Sequence, residues 1–142
     1  MRIVILEDNL DRQMAMRKCL VKRLPEARVE FHVTSNALIQ SLSQHRDDVE
    51  LIALDHDLEM IDSGHGKLVD PGTGLEAAEW LAQSSRKVPC IVHTTNMPAG
   101  ERMVSTLQAA GWSVQRVVPY GDTEWIREVW WQAMQRAIRP VH

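Results

Sequence analysis

Three apolar runs in this chain each stop on a cluster of acids or hydroxyls, and that repetition restricts the fold more than any other feature. Ile3-Val4-Ile5-Leu6 runs into Glu7-Asp8-Asn9, Leu51-Ile52-Ala53-Leu54 into Asp55-His56-Asp57, and Cys90-Ile91-Val92 into His93-Thr94-Thr95-Asn96. Short continuous apolar runs bounded by polar residues predict strands buried on both faces, as in a parallel sheet. In open parallel sheets, ligands bind in the crevice outside the carboxyl ends of the strands. As parallel neighbours, these strands would bring Glu7, Asp8, Asp55 and Thr94 to one rim. Crowded carboxylates are costly unless a cation sits among them. The pattern therefore predicts a divalent-metal site.

Between these runs, strand and helix patterns alternate. Leu10, Met14, Val21 and Leu24 recur at helical spacing up to Pro25 and predict an inward stripe. Val29, Phe31 and Val33 alternate with polar residues, as in a half-exposed strand. Ser35 or Asn36 then caps a helix running through His45, with Leu38, Ile39 and Leu42 inside. After Asp55 comes a polar stretch, 56–72, holding Gly64, Gly66, Pro71 and Gly72. That is long for a strand-to-helix connection, and long loops are often functional. Thr73-Gly74-Leu75-Glu76 has the spacing of a capping box, and Leu75, Ala78 and Leu81 supply the next stripe. A fourth strand is predicted over Val88–His93, a helix from about Gly100 to Ala110, and a fifth strand over Ser113–Val118. The last helix follows Asp122 with Ile126, Val129, Trp130, Ala133 and Ala137 inward. Five βα units imply a doubly wound α/β sandwich built on a five-stranded parallel sheet.

The 142 residues are expected to form one domain, 1–142. A net charge of −3 argues against a general nucleic-acid or membrane-surface binder. No run reaches the roughly 18 apolar residues of a membrane-spanning helix, and the amino end lacks a signal peptide's pattern. Cys19 and Cys90 fall in a predicted helix and a predicted buried strand, so a cytoplasmic protein with reduced thiols is expected.

Acids after the first strand, Asp55 after the third and Thr94 after the fourth resemble the response-regulator receiver domain, over nearly the whole chain. The resemblance implies a flavodoxin-like, receiver-like three-layer sandwich. It matches Glu7 and Asp8 to the pair that holds magnesium, Asp55 to the phosphoryl acceptor, and Thr94 to the switch hydroxyl. Two features depart from it. Receivers carry a lysine before the proline that ends strand five, whereas Val118 precedes Pro119 here. An insertion holding Asp57, Glu59, Asp62, His65, Lys67 and Asp70 also separates Asp55 from Gly74. These departures, with the runs Asp55-His56-Asp57-Leu58 and His93-Thr94-Thr95-Asn96, are similar to the cyclic-phosphate-processing receiver domains. That resemblance implies opening or hydrolysis of a cyclic phosphate on a small molecule or an RNA end.

Glu7, Asp8 and Asp55 supply hard oxygen ligands suited to Mg²⁺. Asp57, on the same side of an extended chain as Asp55, is a fourth candidate. Histidine near carboxylates also admits Mn²⁺ or Zn²⁺. Asp55 can act as nucleophile, ligand or phosphoacceptor. His56, His65 and His93 are candidate general acids or bases. With the strand-five lysine absent, Lys67, Arg102, His56 and His93 are the candidates for counter-charge to a phosphoryl group. Thr94, Asn96 and Arg102 would line a phosphate pocket at the amino end of the helix that follows. The candidate catalytic set is thus Asp55, His56, His93, Thr94 and Asn96.

The rival reading is a single-domain switch phosphorylated on Asp55 by a histidine kinase. A third is a degenerate receiver that only binds protein, through the helix holding Trp130 and Trp131. On that helix Trp130 is expected in the core and Trp131, more exposed, in core or edge packing, with a homodimer or partner surface as the alternative; Arg127, Arg136 and Arg139 form a solvated face.

Overall fold

In the computed structural model, which describes residues 1–44 and 47–138, side-chain alternation along each strand decides the layering. The parallel sheet is built from β1 (Arg2–Leu6), β2 (Arg28–His32), β3 (Val49–Leu54), β6 (Cys90–His93) and β7 (Val114–Val117). Their order across the sheet is β2-β1-β3-β6-β7, so chain order reverses between β1 and β3. Ile3 and Ile5 of β1, Leu51 and Ala53 of β3, and Ile91 of β6 face one core, shared with Met16, Leu20, Trp125 and Trp130. Val4, Leu6, Ile52, Leu54 and Val92 face the other, against Leu38, Ala78, Leu81, Met103 and Leu107. Thus α1 (Leu10–Arg23) and α5 (Trp131–Ile138) cover one face. The other is covered by α2 (Ser35–Gln44), α3 (Gly74–Ala82) and α4 (Met97–Ala109). This is the expected doubly wound, three-layer sandwich.

Several local expectations are corrected. On α1, Leu10, Met14 and Val21 face solvent, while Met16, Cys19 and Leu20 are buried. The denser run Ala15-Met16-Cys19-Leu20 outweighs the sparser stripe. Thr34, one residue ahead of the expected cap, accepts the Ala37 N–H at the start of α2. The far end expected at His45 lies outside the described residues. Asn96 caps α4 by accepting the Ala99 N–H at 3.1 Å, so this helix starts three residues before Gly100, with Pro98 tolerated in its first turn. A short π-helical turn, Ile126–Trp130, leads into α5. Trp130 is fully buried, whereas Trp131 is half-buried beneath the Arg23 guanidinium.

The insertion after β3 is a small antiparallel hairpin, β4 (Ile61–Asp62) with β5 (Leu68–Val69), almost wholly exposed. Its base is fixed twice. The Asp8 carboxylate accepts the Glu59 N–H at 2.5 Å, and the Gly74 N–H donates to the His56 carbonyl at 3.0 Å. Gly74 is required there, since a Cβ would stand 1.9 Å from the Asp55 carbonyl oxygen. Among the described residues no helix is long and apolar enough to cross a membrane.

Candidate metal centre

Register and parity together assemble the site. Leu6 pairs with Leu54 and Leu54 with Val92, so the next residues, Glu7, Asp55 and His93, stand level at the strand ends. Each continues the parity of its strand's inner residues toward the α1/α5 face. All three are buried, and each offers a ligand atom within 4.8 Å of the others. They lie where chain order reverses, the position at which open α/β sheets bind ligands.

The two carboxylates are held differently. Glu7 accepts the Asn9 N–H at 3.0 Å through Oε2, and its Oε1 lies 3.2 Å from His93 Nε2. Burial pushes its carboxyl up, but His93, the Asn9 N–H and Arg12 together hold it below its ordinary value. Asp55 accepts the adjacent His56 N–H at 2.7 Å through Oδ1. Burial, and secondarily the Glu7 charge, push it up to about 6 despite His93, that N–H and Arg12. An opposite charge close to both carboxylates would favour the ionised form of each.

His93 packs 5.7 Å from Trp125 and edge-on to Trp130, and its buried Nδ1 has no hydrogen-bond partner. Two carboxylates and one imidazole, each offering one ligand atom, fit a hard to borderline divalent ion.

The other expected residues do not join this cluster. Asp8 is committed to the insertion through Glu59. Asp57 is exposed and accepts from His56 Nδ1 at 2.9 Å and, more weakly, from Asn96 Nδ2 at 3.5 Å. Thr94 is buried and its Oγ1 accepts the Asn96 N–H at 3.1 Å. His65 and Lys67 lie in the exposed hairpin, and Arg102 on the outer side of α4 beside Glu101 and Ser105.

Among the described residues, the guanidinium that reaches both acids is that of Arg12, which ends no apolar run and belongs to none of the motifs above. Its Nη1 lies 3.7 Å from both Glu7 Oε1 and Asp55 Oδ2. Asn9 as the cap of α1 puts Arg12 in the first turn, facing the strand ends, and the cap is the one signal in the sequence that bears on that placement.

Searching curated proteins returns no match to this chain. Solved structures share its fold. They include the Mn(2+)-bound form of response regulator Rcp1, with a TM-score of 0.71 at 16% identity, covering 99% of this chain and 96% of that one. A response regulator receiver domain from Rhodospirillum rubrum gives 0.68 at 14%, covering 97% and 92%. The non-phosphorylated HemR receiver domain from Leptospira biflexa gives 0.63 at 21%, covering 99% and 98%. The profile of the cyclic-phosphate processing receiver domain matches residues 2–109. With strand order and acidic rim in place, that match over most of the chain identifies it as a member of the cyclic-phosphate processing receiver domain family.

Proposed function

We propose that this chain processes cyclic phosphates at a divalent-cation site held by Glu7, Asp55 and His93. The observation that carries the reading is the convergence of three buried ligand groups within 4.8 Å at the switch point of the sheet. The same fold in Rcp1 has been solved in a Mn(2+)-bound form, which supports a divalent ion here. Mg²⁺ or Mn²⁺ is the fitting occupant, and it supplies counter-charge and polarisation at the phosphoryl oxygens. Asp55, buried beside Glu7 and His93 with its carboxylate turned to the same point, acts as ligand in this reading. Proton transfer falls to His56. Asp57 orients its ring through Nδ1, leaving Nε2 to take a proton from attacking water or return one to the departing sugar oxygen. Asn96 Nδ2 braces Asp57. Two free, buried cysteines fit a reducing cytoplasm.

The test is phosphorus NMR of a ribose cyclic phosphate with purified protein and Mg²⁺ or Mn²⁺, beside Asp55→Ala and His56→Ala. Ring opening that needs the metal, Asp55 and His56 is expected. An inert protein with both metals would sink the enzyme reading and leave the switch phosphorylated by a histidine kinase, for which acetyl phosphate labelling of Asp55 is the check.

A further inference from the structure

Arg12 reaches the acidic pocket without being used up by it. Its guanidinium makes no hydrogen bond among the described residues, and both carboxylate contacts are 3.7 Å long. Charge-assisted arginine–carboxylate hydrogen bonds run to about 2.7–2.9 Å and are frequently bidentate. Here its donors remain unspent while the side chain is 24% exposed, buried enough to be positioned and open enough to be reached. What positions it is Trp125, over whose ring the guanidinium sits at 5.4 Å. Trp125 is itself fully buried, and its Nε1 donates to the Asp122 carbonyl at 3.2 Å. The opposing site group, His93, packs against the same indole.

Other basic groups are either committed to backbone carbonyls or exposed away from the pocket. Arg116 donates to the carbonyls of Val117 and Thr94, each at 2.6 Å. Arg102 stands on the outer side of α4. Once a divalent ion neutralises Glu7 and Asp55, Arg12 loses its attraction to them and keeps a planar fork of donors, the group best matched to phosphoryl oxygens.

We propose that Arg12, seated on Trp125, is the anion-gripping residue of this pocket, binding the phosphoryl oxygens of a ligand whose phosphate meets the cation at Glu7 and Asp55. This rests on the metal reading of the site. Trp125 acts as a positioning residue and lies beyond the 2–109 segment matched by the family profile.

The test is calorimetric titration with Mn²⁺ and then with inorganic phosphate, on the wild type, Arg12→Gln, Arg12→Lys and Trp125→Phe. Circular dichroism confirms that each folds. Arg12→Gln is expected to bind Mn²⁺ at least as tightly as the wild type and to lose about ten- to a hundredfold in phosphate affinity. Arg12→Lys and Trp125→Phe should fall between, and they carry the comparison if Arg12→Gln does not fold. Unchanged phosphate affinity in Arg12→Gln, with Mn²⁺ still bound, overturns the proposal and leaves Arg12 a counter-ion while the metal site stands. A wild type that ignores Mn²⁺ yet binds phosphate through Arg12 keeps the proposal and removes the metal reading. Binding of neither removes both.

Discussion

Asp55 is the residue on which the opposing forces of this site concentrate. Its carboxyl is raised from 3.8 to about 6, so between those values the folded chain holds a proton that the unfolded chain has released. Stability supplied by that proton is complete below the unfolded value and is lost as pH rises through about 6. Roughly two units correspond to about 3 kcal/mol. Asp55→Asn, which cannot ionise, is therefore expected to be more stable than the metal-free wild type near neutral pH by up to about 3 kcal/mol. The difference should vanish in acid and shrink when Mg²⁺ or Mn²⁺ is added, because a cation favours the ionised carboxylate. Urea denaturation at acid and neutral pH, with and without metal, checks this. Glu7 behaves oppositely. Held below its ordinary value, it contributes stability above that value that is lost as pH falls. Asp55 and Glu7 were legible in the sequence because each ends an apolar run. Arg12 was not, because its role depends on where a helix starts and on an indole more than a hundred residues away.

At the scale of elements, α1 shows how a readable pattern misleads. Leu10, Met14 and Val21 keep helical spacing, yet the helix turns the other stripe inward. Both were present in the sequence, and only packing against Ile3, Ile5 and Trp130 selects between them. Met14→Ala should consequently change stability by less than about 0.5 kcal/mol, whereas Met16→Ala, at a fully buried position, should cost about 2–5 kcal/mol. Thermal or urea melts of the pair decide the matter. The junction between insertion and α3 is the second sensitive element. Gly74→Ala drives a Cβ into the Asp55 backbone, so it is expected to weaken Mn²⁺ binding along with stability. Retained wild-type metal affinity in a folded Gly74→Ala protein would contradict the close packing described for that turn. Neither the hairpin in 56–72 nor its anchoring by Asp8 was readable, since polar composition marks a loop without saying which backbone groups it pairs.

For the whole molecule, the arrangement of the site follows from counting. Three parallel strands in one register end on residues of one parity, and those residues meet. The sequence displayed the strand ends and the five βα units. It did not display which of His93 and Thr94 turns toward the acids, because parity is set by the buried run before them and both fit a strand end. Apart from its base, the exposed hairpin adds nothing to either core. Replacing 60–69 by a short flexible link, with the Glu59–Asp8 anchor kept, is expected to leave the melting temperature within a few degrees of wild type. Trp125 packs against both the Arg12 guanidinium and the His93 imidazole, with Trp130 edge-on to the same imidazole. Two indoles thus report optically on the pocket. Any occupant that draws Arg12 or His93 aside changes the quenching of their emission, so binding can be followed by fluorescence in the native chain without an attached dye.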